Sequence, residues 1–268
     1  MTEKALQPLP IGTSDFEALR DAGQIYVDKT PQIFQLASLR QKFFLTRPRR
    51  FGKSLLAIEK FWQDTTYNVV EVDFSEIKNI AGIRDFYKQL DDTLVDAFEP
   101  AGFRYDENRS QSVIKQLSRW MKGLPKNSLV LLIDEYDSPL TACLENKKLF
   151  EAVRTRFSSF YAVVKANDAC LRFVFMTGIT KFNQTGIFSE LNNFTDLSLS
   201  PHYGTFLGYS EEDIRRYFSE YLTRAAQELC LPEEDVLNRM RDNYDGYCFD
   251  QKVSTHVYAP WSVMKFFE

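Results

Sequence analysis

The arrangement of apolar runs along the chain limits its fold more than any other feature of the sequence. Five short apolar runs are separated by longer amphipathic stretches, a pattern typical of a parallel sheet with helices on its faces. Three of the runs end in polar residues, at the point where the ligand crevice of such a sheet opens. The predicted strands are Phe43–Thr46, Val69–Phe74, Leu129–Ile133, Leu171–Thr177 and Asp196–Leu199.

The amphipathic stretches predict the helices. Apolar residues recur on one helical face of residues 83–98 and again of residues 149–164, which predicts two helices that pack on the core. From Ser210 onward the pattern is helical, and Pro232 opens a further helix. We therefore predict an α/β domain over residues 1–205 and a smaller helical, lid-like subdomain over residues 206–268.

The composition excludes several classes of protein. Hydrophobic residues make up 44% and aromatic residues 15% of the 268 residues, as in a packed globular protein. A formal net charge of −4 provides no global positive field for a nucleic-acid backbone. The N-terminus lacks a secretory pattern, and no apolar run approaches the roughly 18 residues that span a bilayer, which predicts a cytoplasmic protein without a membrane partner. The four scattered cysteines are expected to be free thiols.

The stretch FFLTRPRRFGKSLL, residues 43–56, contains part of a phosphate-binding loop. Gly52, Lys53 and Ser54 match the close of the pattern G-x-x-x-x-G-K-[ST], but Arg47 stands at its first glycine. In such a loop, backbone N–H groups and the lysine bind phosphate, and the serine binds Mg²⁺. A basic turn with a flexible glycine is the other interpretation, so the triplet alone does not decide.

Two carboxylates follow the most apolar run. In SLVLLIDEYDSPL, residues 128–140, Asp134 and Glu135 end the strand. Acids in this position contact water, bind a metal ion or take part in catalysis. Acids are also common at turns and helix caps, which is the structural interpretation. In phosphate-loop enzymes the aspartate supports Mg²⁺ and, in one class, the glutamate activates water. Val69–Phe74 lies between the loop and these acids in the chain, as expected for hydrolases that insert a strand between the two.

A third polar segment follows the next apolar run. In RFVFMTGITKFNQTGIFSELNN, Thr177 ends the strand, and Lys181 and residues 192–193 follow in the loop. A threonine in this position can sense a terminal phosphate or orient water, although Thr-Gly after a strand is also an ordinary turn. The order of the three segments predicts a nucleotide site.

Six motifs in this order resemble the AAA-ATPase-like family, which often precedes a PD-(D/E)XK nuclease-type domain. They span residues 26–262 and read YVDKT, FFLTRPRRFGKSL, LVLLIDEYDSPL, FVFMTGITKF with IFSELNN, YDGYCF and VYAPWS. The resemblance implies a P-loop NTPase of the acid-plus-glutamate, AAA/STAND-like class, with ATP and Mg²⁺ as cofactors. The resemblance also implies that an arginine at the first glycine position, here Arg47, is usual in this family.

The resemblance also implies roles for single residues. Ser54 and Asp134 would hold Mg²⁺, Glu135 would be the water-activating base, and Thr177 would be the polar sensor. Arg49 and Arg50 lie close enough to the loop to add positive charge near the phosphates. It is equally expected that both are solvated or paired with acidic residues. The implied nucleotide-binding residues are Arg49, Arg50, Phe51, Gly52, Lys53 and Ser54.

Two features depart from the family pattern. Only fourteen residues separate Ser54 from Val69, where the family has a longer helix and a further segment, and AIEKFW reads like the end of that segment joined after Leu56. VYAPWS carries Ala259 where the family usually has asparagine. The chain supplies no nuclease cluster of its own, and its apolar last residues predict that something follows Glu268.

Three functions fit these observations. The first is an ATP-hydrolysing regulatory module that controls a C-terminal effector, such as a nuclease-type domain, and that could form a homo-oligomer. The second is a nucleotide-dependent scaffold without significant hydrolysis, which the short segment after Leu56 favours. The third, a nucleic-acid-binding protein, would rely on Arg47, Arg49, Arg50 and Lys53, but the acidic chain does not support it.

Overall fold

The computed structural model describes residues 6–13, 16–51, 67–182, 193–244 and 246–268. Contacts divide the chain into two compact units that alternate along the sequence, and the division falls within one helix, Thr30–Ser38. The predicted domains, 1–205 and 206–268, are consecutive segments and stay a prediction. The sheet unit holds the described residues of Leu36–Thr46 and Trp62–Asp196, and the helical unit holds those of Met1–Gln35, Arg47–Phe61 and Leu197–Glu268.

Short strands and longer helices alternate through the described chain. The strands are β1 (Lys42–Thr46), β2 (Asn68–Asp73), β3 (Leu129–Asp134), β4 (Leu171–Gly178), β5 (Thr195–Asp196), β6 (Tyr247–Cys248) and β7 (His256–Val257). The helices are α1 (Phe16–Asp21), α2 (Thr30–Ser38), α3 (Ile83–Phe98), α4 (Val113–Lys122), α5 (Ser138–Thr141), α6 (Lys147–Ala166), α7 (Glu211–Tyr217), α8 (Ser219–Leu229), α9 (Glu233–Tyr244) and α10 (Pro260–Phe267).

The sheet unit contains a five-stranded parallel sheet in the order β2-β3-β4-β1-β5. This confirms the predicted α/β class, and four strands lie within one residue of their predicted bounds at each end. In the sheet, β4 lies between β1 and β3. β2 lies between them in the chain, but in the sheet it lies on the other side of β3. Chain order does not fix lateral order, because a connection between parallel strands is a crossover that can step past a neighbouring position.

The last predicted strand of the sheet is much shorter than expected. β5 has only two residues, Thr195–Asp196, where the sequence predicted a strand over Asp196–Leu199. Leu197 is buried beyond the strand, but Leu199 is exposed, and the N–H of Ser200 donates to the carbonyl of Leu197. The chain therefore turns before Pro201, whose ring cannot donate a hydrogen bond to a sheet.

The predicted apolar stripes form the core of the sheet unit. Phe86, Leu90, Leu94 and Phe98 follow one another at four-residue spacing on α3, and all four are fully buried. α6 buries a similar stripe, and its Phe157 packs edge-on against Phe74 with ring centroids 4.9 Å apart. Helical periodicity thus placed both helices and identified their inward faces correctly.

The helical unit has its own core. Ile25 and Val27 pack with Phe218, Val263 and apolar residues of α9. α7 begins at a capping box in which Ser210 and Asp213 satisfy each other's backbone N–H groups. The short antiparallel pair β6–β7 was not predicted, because two-residue strands leave no periodic signal. No helix in the described ranges is long and apolar enough to cross a membrane.

Candidate nucleotide site

The carboxyl ends of the central strands bring the predicted polar residues of the sheet unit to one edge. β3 ends at Asp134, which lies beside Asp73 at the end of β2. β4 reaches the same edge with Thr177 and Gly178, and Gly178 lies beside Thr46 at the end of β1. Ligands of open parallel sheets bind outside this edge, so the sheet presents the predicted acids where a ligand is expected.

Asp134 and Thr177 are in direct contact. The hydroxyl of Thr177 donates to Oδ1 of Asp134, and the backbone N–H of Glu135 donates to the same oxygen at 2.8 Å. Thr177 is buried, whereas Asp134 and Glu135 are half-buried. The bond fixes the Asp134 carboxylate between β3 and β4 and brings together two residues that the sequence predicted separately.

Glu135 occupies an unusual backbone conformation. Its φ of +47° lies in the left-handed region, which is uncommon for a residue with a side chain. The next residue, Tyr136, donates its backbone N–H to the carbonyl of Thr177 at 3.1 Å. The chain therefore leaves β3 at Glu135 through a sharp turn and remains hydrogen-bonded to β4. Backbone strain of this kind is often found at functional sites.

Sequence reasoning missed two residues that build this edge. Asp137 is buried and accepts hydrogen bonds from the backbone N–H groups of Ile179 at 3.1 Å and Thr180 at 2.6 Å. The hydroxyl of Tyr136 donates to the carbonyl of Thr180 at 2.6 Å, and burial raises the pKa of that hydroxyl. Together, Tyr136 and Asp137 hold the loop after β4 against the end of β3. The sequence signal that could have indicated this site is the second acid of E-Y-D, Asp137, three residues beyond Asp134.

Gly178 allows this close approach. A Cβ atom at Gly178 would lie 2.5 Å from ring carbons of Tyr136 and 2.7 Å from Oδ1 of Asp137. Neither neighbour has room to move, because both side chains are buried. The glycine of the Thr-Gly pair therefore has a packing role beside the predicted role of Thr177.

Lys181 and the following segment give a mixed result. The ammonium of Lys181 forms an ion pair with Asp196 at 2.5 Å, which joins the loop after β4 to the end of β5. Asn193 is exposed, and Asn192 lies outside the described residues. Lys181 is thus placed at the carboxyl edge, but with a carboxylate partner of its own.

The donors at this edge suit Mg²⁺. This ion prefers oxygen ligands and keeps several waters, so one or two carboxylates together with substrate phosphates are sufficient. Asp134 supplies a carboxylate whose position is fixed by Thr177. Among the described residues no group of three or more acidic, histidine or cysteine side chains could form an all-protein cage. Gly52, Lys53 and Ser54 lie outside the described residues.

Arg47, at the position of the missing glycine, is buried inside the helical unit. Its guanidinium donates to the carbonyls of Ser198 at 2.8 Å and Tyr203 at 3.0 Å. The same group lies over the ring of Phe249, 4.1 Å from the centroid. An arginine that uses its planar fork in this way is an internal anchor. The structure thus gives Arg47 a packing role in place of the flexible glycine.

The next residues of the segment differ in exposure. Phe51 is buried, and its ring packs edge-on against Tyr247 at 4.9 Å and Phe249 at 5.3 Å. Arg50 has a left-handed φ of +66°, and its guanidinium lies 4.8 Å from the ring centroid of Trp261. Arg49 is exposed. Their predicted nucleotide-binding roles stay predictions, but Phe51 can offer a nucleotide only its backbone.

These contacts give a packing role to two of the six family motifs. YDGYCF supplies Tyr247 and Phe249, the aromatic partners of the Arg47–Phe51 segment. VYAPWS supplies Trp261, and its Ala259 precedes α10 as the N-cap residue. We name this group of packed residues the loop clamp: Arg47, Arg50, Phe51, Tyr247, Phe249 and Trp261.

YVDKT also has a packing role. Lys29 pairs with Asp213 at 2.6 Å, and both side chains are largely buried. Asp28 accepts the backbone N–H of Thr30 at 2.8 Å, which helps the chain enter α2. This motif fastens the N-terminal segment to the start of α7, inside the helical unit.

Asp250 organises the loop after β6. It is buried and accepts hydrogen bonds from the backbone N–H and hydroxyl of Thr255, at 2.9 and 2.8 Å, and from the N–H of Lys252 at 2.8 Å. Burial of the carboxyl opposes ionisation, but these bonds and one from the N–H of Ser254 outweigh it and lower the pKa of Asp250. Asp250 therefore has a structural role next to Phe249 of the loop clamp.

The five-stranded parallel sheet, with its flanking helices and the acids at its carboxyl edge, defines an α/β protein. The chain belongs to the predicted AAA-ATPase family, whose pattern matches residues 10–59 and 57–188. Membership of this family supports a nucleotide-binding, ATPase-like module. The match is made in two pieces that meet at residues 57–59, close to Leu56, where the sequence departs from the family pattern.

One curated relative and two solved structures show further likeness. The chain is 28% identical to an uncharacterised protein in the 5′ region of vnfD of Azotobacter chroococcum mcd 1, over 97% of this chain and 52% of the relative. It therefore spans about half the length of that relative. Drosophila ORC bound to DNA matches at 12% identity and a TM-score of 0.36, over 68% of this chain and 89% of the other. Drosophila ORC bound to GC-rich DNA and Cdc6 matches at 13% identity and a TM-score of 0.34, over 85% of this chain and 76% of the other.

Proposed function

We propose that the chain is an ATP-binding and ATP-hydrolysing regulatory module. The observation that carries this proposal is the placement of Asp134 and Glu135 at the end of β3, with the Asp134 carboxylate bonded to Thr177 of β4. The chain belongs to a family of predicted ATPases, and an acid pair at this place would be suited to support a metal-bound phosphate and to activate water.

Each residue has a separate chemical task in this proposal. Lys53 and the backbone N–H groups of the loop would bind the phosphates, and Ser54 and Asp134 would hold Mg²⁺, which would supply positive charge to neutralise the phosphates. Thr177 keeps Asp134 oriented, and Glu135 accepts the proton of the attacking water. The left-handed backbone at Glu135 sets the direction in which its side chain leaves the end of β3.

The loop clamp supports the regulatory part of the proposal. It joins the residues directly before the Gly52-Lys53-Ser54 triplet to α10, through the contact of Arg50 with Trp261. A change in the loop on nucleotide binding would alter these contacts and so bias the position of α10. The curated relative is about twice as long as this chain, so its length allows a further domain such as an effector.

The proposal is tested by ATP binding and phosphate release in the same samples. Calorimetry with Mg²⁺ should detect ATP binding to the wild type and at least a 100-fold loss of affinity in Lys53→Ala, since the lysine is the main cation for the phosphates. Lys88→Ala, an exposed lysine on α3, is the matched control and should bind as the wild type does. A wild type that binds no ATP would refute the proposal.

A second candidate, a nucleotide-dependent scaffold without hydrolysis, is favoured by the break in the family match at residues 57–59. Glu135→Gln separates the two candidates. In an ATPase this change should lower phosphate release at least 100-fold and leave ATP affinity within about twofold, because it removes the base and keeps the shape. Glu145→Gln, at an exposed position, is the control. ATP binding without measurable release in the wild type would support the scaffold.

A further inference from the structure

A cleft of about 360 Å³ lies at the other edge of the sheet, where the central strands begin. Lys42 opens β1, Leu171 opens β4, and Asn127 lies two residues before β3. Strands β1, β3 and β4 run in parallel, so this amino edge is a whole strand length from Asp134 and Thr177. The cleft is therefore separate from the carboxyl edge of the proposed nucleotide site. We name it the basic cleft; its lining is Arg40, Gln41, Lys42, Lys126, Asn127, Asp168, Ala169, Leu171, Arg172 and Phe173.

The lining of the basic cleft is strongly positive. It contains four basic side chains, Arg40, Lys42, Lys126 and Arg172, and one acidic side chain, Asp168. The whole chain has a formal net charge of −4, so the cleft stands out against an acidic background. Arg40 and Lys126 are exposed and make no ion pair with any residue that the structure describes. Their charges are available to a ligand.

The other two cations are held in place. Lys42 forms an ion pair with Asp168, and its side chain is largely buried, which lowers the pKa of its ammonium. The guanidinium of Arg172 lies 4.9 Å from the ring centroid of Tyr67. Backbone hydrogen bonds from Asn127 to Ala169, at 3.0 Å, and from Val174 to Gln41, at 3.3 Å, fix the walls. A cleft built in this way needs little rearrangement to receive an anion.

The size and charge of the cleft define the ligand. A volume of about 360 Å³ lies at the lower end of the range for small-molecule sites, which is too small for a folded partner. Four cations against one carboxylate call for an anion with several negative charges in a small volume. Phosphate groups meet this requirement, and two of the cations are arginines, whose planar forks match phosphate oxygens. We infer that the basic cleft binds a compact compound with two or more phosphate groups.

The inference is tested in a chain that carries Lys53→Ala, so that the proposed phosphate loop does not contribute. Tripolyphosphate without Mg²⁺ is the probe, and calorimetry is the measurement. The Lys53→Ala chain should bind it, and adding Arg40→Ser with Lys126→Ser should lower the affinity at least tenfold. The control is Arg84→Ser with Lys88→Ser on α3, which removes the same charge at two exposed positions outside the cleft lining. It should change the affinity less than twofold.

Acetylation of lysine amines gives a second readout without any change in the cleft. Tripolyphosphate should protect Lys42 and Lys126 of the Lys53→Ala chain from N-hydroxysuccinimide acetate at least threefold, and leave Lys88 unprotected, as read by mass spectrometry of peptides. This readout does not depend on the folding of the cleft variant.

Three outcomes would overturn the inference. The first is the absence of tripolyphosphate binding in the Lys53→Ala chain, which would show that the basic residues of the cleft do not form a phosphate site. The second is an equal loss of tripolyphosphate affinity in the cleft variant and in the α3 control. The third is binding of a ten-nucleotide oligothymidylate in the cleft without binding of tripolyphosphate, which would assign the cleft to a nucleic-acid strand. None of these outcomes bears on ATP binding by the wild type, which tests the proposed function separately.

Discussion

The strand-end acids of the sheet unit and the basic segment of the helical unit are held in opposite ways. Asp134 and Glu135 remain half-buried at the edge of the sheet, and their neighbours orient them without covering them. Arg47 and Phe51 are covered completely by residues of distant segments. Both regions follow an apolar strand and carry the family motifs, so the motifs contain residues that stay accessible at the sheet edge and residues that are buried by packing.

The strongest test of this comparison is the removal of the Arg47 guanidinium. Arg47→Met should lower the free energy of unfolding by about 3 kcal/mol, because a buried carbonyl and a half-buried carbonyl lose a charged donor. Arg49→Met, two residues away and exposed, should change it by less than about 0.5 kcal/mol. Urea unfolding measures both. Equal effects of the two changes would mean that burial does not separate the roles of these arginines.

A smaller effect is expected at the edge of the sheet. Gly178→Ala places a Cβ atom 2.5 Å from the ring of Tyr136 and should cost about 2 kcal/mol of stability through overpacking. Gly82→Ala is the control, since a Cβ atom there meets nothing within 4 Å. If thermal or urea unfolding shows the same loss for both glycines, the close approach of the β4 loop to Tyr136 is not the cause.

The bond between Thr177 and Asp134 should contribute less. Thr177→Val keeps the shape and removes the donor, and we expect a loss of about 1 kcal/mol from the half-buried carboxylate that it serves. Thr93→Val removes a hydroxyl that bonds only within its own helix, to the carbonyl of Gln89, and should cost less. A neutral Thr177→Val variant in urea unfolding would show that the hydroxyl adds no stability and leave its effect on hydrolysis to be measured separately.

The smallest effect concerns pH and the loop beside Phe249. Because the pKa of Asp250 is lowered in the folded chain, the unfolded chain binds more protons in acid. The stability that the ionised carboxyl contributes is thus complete above about pH 4, the ordinary aspartate value, and is lost as the pH falls below it. The stability gap between the wild type and Asp250→Asn should be constant from pH 7 to pH 5 and narrow towards pH 3, as measured by urea unfolding.

The control for this prediction is Asp242→Asn, an exposed change on α9. Its unfolding midpoint should follow that of the wild type across the same pH range. A gap between the wild type and Asp250→Asn that stays constant down to pH 3 would show that the charge of this carboxyl does not matter for the loop.

The sequence predicted those parts of the fold that depend on neighbouring residues. Apolar runs located β1 to β4, and helical periodicity located α3 and α6, because burial acts on each segment separately. The same reasoning placed Asp134 and Thr177 at strand ends, and the structure joins them.

Partners far away in the chain escaped prediction. Arg47 reaches the carbonyl of Ser198, 151 residues later, and no local pattern connects the two. The loop clamp could not be predicted for the same reason. The sequence shows the acid Asp137, but not that it supports the loop after β4, 42 residues away. A hydrogen bond between distant segments depends on the whole topology, which the sequence pattern specified only as a class.

The position of β4 between β1 and β3 has a consequence for synthesis of the chain on the ribosome. β2 and β3 can pair as soon as residue 134 has left the exit tunnel, but β1 pairs with β4 and β5. Its apolar strand, Lys42–Thr46, must therefore wait without these partners until translation passes residue 178. Such long-range pairing slows folding and leaves an apolar strand unpaired, so this half of the sheet is the part most exposed to aggregation during translation.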